Sequence, residues 1–378
     1  MAKNKNSSCI VSIGTAIPHY TYEQREIADF MIRYFGLEGE AARKVSVIYQ
    51  KSGIDVRHSV LSDFKLNGST MLFKSAEKNP SLTQRMNVYK QEAVTLASSA
   101  VDDCSRQISR KAKEKIFPVT HLITVSCTGM SAPGLDIQLM QELKLPVDVH
   151  RTSVNFMGCY AGFHAFRMAD SICKADEDAT VLVVLVELCS LHFQPGIESE
   201  TLVVNSLFAD GAAAVLFTSR KKAKKLKSPM LAVKGFAGEV IHHGATYMTW
   251  SPSEQGFLMG LDAMVPQVIE ENANRLVTDA LRKFGIHKEE ILHWAFHPGG
   301  KRILSAAAKS LSLPSYDFAH SHRVLRDFGN MSSPTICFVL KSMMQDEVKG
   351  KKNEYIFAAG FGPGITIETA LFKPVVND

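Results

Sequence analysis

The sequence predicts an α/β protein built from two similar halves. Strand-like and helix-like segments alternate along the 378 residues, which is typical of α/β folds. The best strand candidates, 121–127 and 180–188, are continuous apolar runs of the kind that helices cover on both faces. The order of these segments also occurs twice, and the chain is long enough for two halves of ordinary size.

The composition is that of a folded globular protein, with 46% hydrophobic and 21% charged residues. Six of the basic residues lie in the stretch 219–228 (SRKKAKKLKS), and without them the formal net charge of +5 becomes nearly neutral. A nucleic-acid binder spreads its basic charge over a face or groove. We therefore interpret 219–228 as a solvated linker between the halves and expect no nucleic-acid partner.

The N-terminal apolar stretch predicts a first core strand rather than a signal peptide. Ile10–Ile17 alternates β-branched and small residues, ends at Pro18 and leads into the helix-like EQREIADFMIRYFG. No apolar run reaches the ~18 residues of a membrane span, so we expect no membrane insertion. The seven cysteines are scattered without a CxxC pair, which favours a reducing compartment, the cytoplasm, and disfavours disulfides or a zinc site.

The internal duplication divides the chain at residues 1–225 and 226–378. Three strand-like segments of the first half recur in order in the second, and the paired segments are 9–17 with 230–238, 122–130 with 292–300, and 180–190 with 354–364. Between the last two pairs, each half has a turn of small residues that opens a helix, MGCYAGFHAFRMADSIC and GNMSSPTICFVLKSMM. This pattern predicts two pseudo-equivalent halves that pack face to face.

Cys159 is the candidate nucleophile. It lies on a small-residue turn between the β-like VHRTSVNF and a helix-like segment. The positive end of a helix dipole lowers the pKa of a thiol there and favours the thiolate. We therefore expect a lowered pKa for Cys159 and interpret the other six cysteines as buried structural residues.

His297 and Asn330 are the candidate partners of that nucleophile. A nucleophilic cysteine needs a base, usually histidine, and a third positioned group. His297 ends the apolar strand LHWAF and opens Pro298-Gly299-Gly300, whereas Asn330 precedes a predicted helix, where asparagine is usually only an N-cap. Under the duplication, Asn330 corresponds to the Cys159 turn and His297 to the strand end at Cys127. If the halves face each other, the three residues converge.

Five motifs in order carry a family resemblance that extends from about residue 10 to 372: MGCYAGFHAFRMAD, SLFADGAAAVLF, FHPGGKRIL, FGNMSSPTICFVL and AAGFGPGITIETALF. The chain resembles the chalcone synthase family, the type III polyketide synthases. The resemblance implies a thiolase-like, five-layered αβαβα fold in a homodimer. It also implies Cys159, His297 and Asn330 as the catalytic triad, with Cys159 acylated by the starter and His297 as the imidazolium partner of its thiolate. His297 and Asn330 are then expected to stabilise the enolate of decarboxylated malonyl-CoA.

The same resemblance implies several substrate contacts. Phe208 matches an aromatic gatekeeper of the cavity, and Lys51 and Arg57 match basic entrance residues that meet the phosphates of CoA. Ser332 and Gly362, in the Asn330 turn and the GFGPG loop, are expected at the cavity wall. Asp210-Gly211, beside the gatekeeper, is interpreted as turn chemistry.

The chain departs from the family pattern around the cavity. Met259 replaces a second gatekeeper phenylalanine, and a flexible thioether replaces a rigid ring. Ala132 replaces a methionine that crosses the dimer interface in plant chalcone synthases, and Thr128, Ala132 and Cys189 are expected around the cavity floor. Trp250 and His192 match positions that are small in the plant enzymes. These changes predict a remodelled cavity with an apolar tunnel for a fatty acyl starter. The alternative is that Trp250 or His192 fills the gap and leaves a small cavity that favours short starters.

We therefore predict a cytoplasmic acyltransferase that condenses an acyl-CoA starter, including medium- or long-chain fatty acyl groups, with malonyl-CoA. The expected product is an alkylpyrone or resorcinol-type polyketide, with no cofactor or metal beyond the CoA thioesters. The alternatives are a single-condensation 3-ketoacyl-ACP or 3-ketoacyl-CoA synthase, a papain-like hydrolase, and a non-catalytic binding protein.

Overall fold

The structure is a computed structural model and describes residues 7–65, 68–74, 79–108, 118–226, 229–346 and 354–375. Its strands are β1 Ser8–Ala16, β2 Tyr20–Glu23, β3 Val56–Ser59, β4 His121–Ser126, β5 His150–Asn155, β6 Thr180–Leu188, β7 Asp210–Ser219, β8 Met230–Val240, β9 Met248–Ser253, β10 Gly256–Leu261, β11 Ile291–Phe296, β12 Tyr355–Gly362 and β13 Thr366–Val375. Its helices are α1 Gln24–Tyr34, α2 Gly39–Lys51, α3 Leu82–Ile108, α4 Leu135–Glu142, α5 Ala161–Ala175, α6 Ser199–Leu207, α7 Arg220–Ala223, α8 Val265–Phe284, α9 Lys301–Ser310, α10 Ala319–Phe328 and α11 Thr335–Asp346.

The predicted duplication is present strand by strand. Over the described residues, one sheet has the order β11-β12-β13-β8-β1-β7-β6-β4-β5, and its two halves meet where β1 pairs with β8. Outward from that seam, each half has two antiparallel pairings and then a parallel one, through β7, β6 and β4 or through β13, β12 and β11. The predicted boundary at 225/226 lies in the connection from β7 to β8 and stays a prediction.

The packing of β6 explains why the strands read as continuous apolar runs. Successive side chains of a strand point to opposite faces. Val181, Val183 and Leu185 accordingly pack in the central core with α5 and α11, whereas Leu182 and Val184 pack on the outer face. Helix α5 contacts strands of both halves, and so does α11, while α3 and α8 cover the two outer faces. The result is the predicted order of five layers, αβαβα.

The duplication places four chain segments of functional interest at the centre of the molecule. Cys127 follows β4 and His297 follows β11, while the Cys159 and Asn330 turns precede the central helices α5 and α11. Each turn contains a glycine in the left-handed region, Gly158 (φ 80°) and Gly329 (φ 72°), immediately before the candidate functional residue. Both halves therefore turn sharply at matching places.

Several local predictions can be compared with the structure. The N-terminal apolar run forms β1, and the helix-like stretch after it contains α1. The basic stretch begins as the short helix α7 between the halves, and Lys227 lies outside the described residues. The turn interpretation of Asp210 was wrong, because Asp210 begins β7 and is fully buried. Within the described part of the chain, no helix has the length and apolar character to span a bilayer.

Candidate active site

The sulfur of Cys159 lies where the two central turns meet. Its thiol donates a hydrogen bond to Ser332 Oγ at 3.5 Å, and Ser332 belongs to the turn that also carries Asn330. On the other side, the backbone N–H of Gly158 donates to Cys127 Sγ at 2.9 Å. The nucleophile candidate of the first half therefore contacts the functional turn of the second half.

The pKa of Cys159 differs from the expectation based on its helix start. Burial raises the pKa of this thiol to about 11, and the nearby carboxyl of Glu187 acts in the same direction. Hydrogen bonds from Ser332 and Asn330 offset only part of that rise. The expectation of a lowered pKa was wrong, because the loss of hydration outweighs the favourable helix terminus. In this structure Cys159 is a neutral thiol at pH 7.

His297 is a buried histidine whose ring forms no hydrogen bond with the described residues. Its backbone N–H donates to Ala359 O at 2.8 Å, which fixes the turn after β11. The residue is 1% exposed, and neither ring nitrogen has a hydrogen-bond partner among the described residues. Burial lowers its pKa to about 3, so the ring is neutral at pH 7. Buried polar groups are normally paired, and an unpaired one here indicates a place for substrate.

Asn330 connects the His297 turn with the Cys159 turn. Its Nδ2 donates to Gly299 O at 3.2 Å, two residues beyond His297. Its Oδ1 accepts from Ser332 N at 2.8 Å, next to the sulfur of Cys159. The side chain of Asn330 also forms a hydrogen bond with the sulfur of Cys159, which lowers the pKa of that thiol. The structure thus brings together the three turns that carry the predicted triad.

Glu187 is a buried residue of this site that the sequence reasoning missed. Its carboxylate accepts from Cys127 N (2.9 Å), Thr128 Oγ1 (2.8 Å) and Ser333 Oγ (2.7 Å). Burial raises its pKa to about 7. It ties the loop after β4 to the start of α11, across the two halves. The signal was visible in TVLVVLVEL, where it is the one charged residue of an apolar strand.

Cys159 and Ser332 line a cavity of about 400 Å³, a size typical of small-molecule sites. The predicted substrate-binding residues that line it are Arg57, Thr128, Cys189, His192, Phe208, Trp250, Met259 and Ser332. Helix α1 and the loops near it add a further wall made of Ile27, Phe64 and Phe193, which the sequence reasoning did not identify. The cavity therefore has an apolar wall next to α1, and we call Ile27, Phe64 and Phe193 its apolar arm.

Trp250 and His192 close the cavity beside Thr128. The indole Nε1–H of Trp250 donates to Cys127 O at 2.8 Å. His192 Nε2 lies 2.8 Å from Thr128 O, and its Nδ1 accepts from Phe257 N at 2.9 Å. These partners require the neutral tautomer with the proton on Nε2, and burial lowers the pKa of His192 to about 3. The two rings hold the loop after β4 in place and occupy the space beside it.

Arg57 does not lie at an exposed entrance, and that expectation was wrong. The side chain is 4% exposed, and it donates to Gln24 Oε1 (2.8 Å), Asn205 O (2.7 Å) and Phe208 O (2.8 Å). Burial in a layer between β3 and α6 gives it carbonyl partners in place of a phosphate. Arg57 therefore fixes the backbone of Phe208, the predicted gatekeeper. Lys51, at the end of α2, is exposed, and its contact with the phosphates of CoA stays a prediction.

Ala132 and Gly362 occupy different places from the other predicted contacts. Ala132 is exposed and does not line the cavity of its own chain, which corrects its expected position on the floor. The loop that carries it leads away from the cavity towards α4. Gly362 lies directly behind the nucleophile, since a Cβ atom there would lie 2.6 Å from Tyr160 Cδ1 and 3.4 Å from Cys159 N. It is a close-approach glycine.

Comparisons with known proteins agree with this geometry. The family model for chalcone and stilbene synthases, N-terminal domain, matches residues 1–220, and the model for the C-terminal domain matches residues 236–376. The chain belongs to this family. It is a type III polyketide synthase, an enzyme of the acyltransferase type.

Three curated relatives extend the comparison. The chain is 29% identical to the alpha-pyrone synthesis polyketide synthase-like Pks18 of Mycobacterium tuberculosis, over 96% of this chain and 90% of that protein. It is 30% identical to the 3,5-dihydroxyphenylacetyl-CoA synthase of Streptomyces toyocaensis, over 96% and 89%. A probable polyketide synthase 1 of Dictyostelium discoideum is 30% identical over 99% of this chain, which spans only 12% of that longer protein.

A solved structure supports the fold assignment. The crystal structure of PKS-I from the brown alga Ectocarpus siliculosus superposes with a TM-score of 0.90 at 27% identity, and the match covers 99% of this chain and 100% of that one. The thiolase-like fold expected from the motifs is confirmed.

Proposed function

We propose that this type III polyketide synthase condenses an acyl-CoA starter with malonyl-CoA by decarboxylative Claisen condensation. One observation carries the proposal. The thiol of Cys159, the side-chain amide of Asn330 and the unpaired ring of His297 belong to three turns that meet beside a cavity of about 400 Å³. That set supplies a nucleophile, a base and an oxyanion donor.

In this proposal His297 removes the proton of Cys159 when the starter thioester arrives. The thiol and imidazole are both neutral, because burial opposes charge on each of them. Proton transfer at the moment of attack avoids a preformed ion pair in a dry site. His297 and Asn330 then donate to the thioester oxygen of malonyl-CoA and stabilise the enolate that decarboxylation forms.

We propose a medium- or long-chain fatty acyl starter, whose alkyl end lies in the arm of Ile27, Phe64 and Phe193. All three side chains are apolar and nearly buried, and each buried methylene contributes about 0.8 kcal/mol. The neighbouring space beside Thr128 is occupied by Trp250 and His192, so the arm near α1 replaces the tunnel expected past Ala132.

The proposed product is an alkylpyrone or resorcinol-type polyketide. The printed name of the Mycobacterium tuberculosis relative refers to alpha-pyrone synthesis, and that of the Streptomyces toyocaensis relative to 3,5-dihydroxyphenylacetyl-CoA. Both names fit repeated extension from malonyl units. We propose that Lys51 meets the phosphates of CoA and that the CoA thioesters are the only cofactor-like molecules required.

We further propose a homodimer in the cytoplasm. Strand β5 is an edge strand of the large sheet with five of its six residues exposed, and such an edge pairs readily with another copy of itself. Ala132 and the exposed Met130 lie nearby on the chain, between β4 and β5. A partner subunit would cover this exposed region and place Ala132 at the interface.

A panel of acyl-CoA starters with labelled malonyl-CoA tests the proposal by product mass. Decanoyl-CoA or palmitoyl-CoA should give products with two or more malonyl-derived units, faster than hexanoyl-CoA. Cys189→Phe should reverse that preference, whereas Ala132→Met should change it less. Products with a single extension would favour the 3-ketoacyl synthase alternative, and equal rates for all starters would contradict the apolar arm.

A further inference from the structure

Two serine hydroxyls connect the cavity with a buried carboxylate that has no part in the proposed condensation. Ser59, at the end of β3, and Ser190, in the 3₁₀ turn after β6, both line the cavity, and their Oγ atoms lie 2.7 Å apart. Ser190 Oγ donates to Asp210 Oδ2 at 2.6 Å. We call Ser59, Ser190 and Asp210 the hydroxyl relay.

The hydrogen-bond directions within the relay follow from its partners. Asp210 is fully buried and also accepts from Ser190 N (2.7 Å) and Val60 N (2.9 Å), so every one of these contacts brings a donor to the carboxylate. Because Ser190 gives its proton to Asp210, Ser59 must donate to Ser190. Leu61 N occupies one acceptor site of Ser59 Oγ at 3.0 Å. A hydroxyl oxygen accepts two hydrogen bonds, so Ser59 keeps one acceptor site for a ligand in the cavity.

Ser190 of the relay belongs to a stretch of cavity wall that also carries Cys189 and Phe193 of the apolar arm. Ser190 directly follows Cys189 in the cavity wall, and Phe193 of the arm lies three residues further along. In the proposed function, on which this inference rests, the chain is a thioester on Cys159 and its alkyl end lies in the arm. The middle of an extended chain then passes Ser59, and that part carries the enolisable carbonyl oxygens added by malonyl units.

We propose that the hydroxyl relay takes the proton from an enol hydroxyl of the extended chain and so releases the chain from Cys159 as a lactone. The enol O–H bond breaks, and its proton passes to Ser59 while Ser59 protonates Ser190 and Ser190 protonates Asp210. The enolate oxygen attacks the thioester carbonyl, the C–O bond forms, and the C–S bond breaks. The proton then returns through the two hydroxyls to the cavity, which Ser59 and Cys159 both line, and neutralises the departing thiolate, so that Cys159 ends as a thiol. The step needs no co-reactant.

The electrostatic surroundings suit this use of Asp210. Burial raises its pKa to about 6, so the carboxylate is ionised at pH 7 and is still a better proton acceptor than a solvated aspartate. The charged or titratable neighbours are Arg57 on β3 and the thiol of Cys189 in the 3₁₀ turn, with Glu187 on the adjacent strand β6. The hydrogen bonds from Ser190 and Val60 lower the pKa of Asp210 against the effect of burial and so favour its ionised form.

The test compares three variants with the parent enzyme under one set of substrates, decanoyl-CoA and malonyl-CoA. The measured quantity is the amount of lactone released per malonyl-CoA decarboxylated, together with the intact mass of the protein. Ser59→Ala and Ser190→Ala should lower this ratio at least about tenfold, since a positioned base contributes about a hundredfold or more. Both should accumulate the acylated protein. Ser59→Thr, which keeps the hydroxyl, should restore the ratio.

The matched control is Ser12, a buried serine that does not line the cavity and whose hydroxyl donates to Cys104 O at 2.7 Å. Ser12→Ala should keep the parental ratio. Parental ratios in both alanine variants would overturn the relay and leave the proposed function intact. An equal loss in Ser59→Thr and Ser59→Ala would also overturn it, because the hydroxyl would then not matter. A parent that is never acylated and decarboxylates nothing would overturn the proposed function and the relay together.

Discussion

Each half of the molecule has a glycine turn before a central helix, and the two turns carry different chemistry. In the first half, Gly158 (φ 80°) precedes Cys159 at the start of a central helix, and in the second half Gly329 (φ 72°) precedes Asn330. The strand ends differ in the same way. The loop after β4 is tied to the buried acid Glu187, whereas the loop after β11 presents the unpaired ring of His297.

This comparison shows how a duplicated scaffold produces an asymmetric site. The two halves share a glycine with positive φ that lets the chain turn sharply before a helix, and each of these helices contacts strands of both halves. The side chains divide the work, with the nucleophile in the first half and the proposed base and oxyanion donor in the second. Reactions that need both a nucleophile and an oxyanion donor require that division.

The largest expected effect is on the first-half turn. Cys159→Ala should abolish polyketide release, a loss of about a thousandfold or more, because no other group can carry the acyl chain. Malonyl-CoA decarboxylation should persist at a measurable rate, because the donors of the second half remain. Cys173→Ala, at the other end of the same helix and fully buried, is the control and should keep activity. Polyketide release by Cys159→Ala would contradict the division of work.

Removing the second-half donor should have the next largest effect. Asn330→Ala should lower malonyl-CoA decarboxylation by about a hundredfold, since one oxyanion donor typically supplies that much. Acylation of Cys159 by the starter should remain visible in the intact protein mass. His297→Ala should impair both steps, because the ring is the proposed base as well as a donor. If Asn330→Ala decarboxylates at the parental rate, its role is wrong.

The fold could be predicted because it depends on local sequence patterns, namely the spacing of apolar residues and of turn residues. The sequence repeats one pattern in both halves: apolar strands and a glycine turn before a central helix. The family motifs coincide with these segments. The turns before the central helices indicated Cys159 and Asn330, and the turn after β11 indicated His297. The structure brings these three turns together.

The remainder depends on contacts between segments far apart in sequence. Arg57 looks like a surface cation in QKSGIDVR, and only the approach of α6 gives it carbonyl partners. Asp210 looks like a turn residue until Ser190 and Val60 are seen to donate to it. The raised pKa of Cys159 has the same origin, since burial is a property of the assembled halves.

The charge state of the first-half thiol gives a third prediction. Because burial raises the pKa of Cys159 to about 11, alkylation by iodoacetamide should accelerate about tenfold per pH unit between pH 7 and 10. Below its pKa a thiol gains thiolate as pH rises, which sets the sign. Peptide mapping should find Cys159 labelled before Cys127 and Cys189, whose pKa values burial raises further. A rate that is flat with pH would indicate a thiolate paired with a protonated His297 instead.

The last comparison is between the two glycines themselves, through the denaturant midpoint of each alanine variant, and its effect is on stability and not on rate. At Gly158 a Cβ atom would lie 2.3 Å from Pro363 Cδ, a rigid ring, whereas at Gly329 it would lie 3.0 Å from Arg57 Cγ. Gly36→Ala is the control, since φ there is 58° and no atom lies within 4 Å of the added Cβ. It measures the left-handed strain alone, about 1 kcal/mol. Gly329→Ala should cost about 2 kcal/mol and Gly158→Ala about 3 kcal/mol or more, because overpacking adds to that strain. Equal denaturant midpoints for Gly158→Ala and Gly36→Ala would mean that Gly158 is not packed against Pro363. The turns of the two halves would then differ in packing as well as in chemistry.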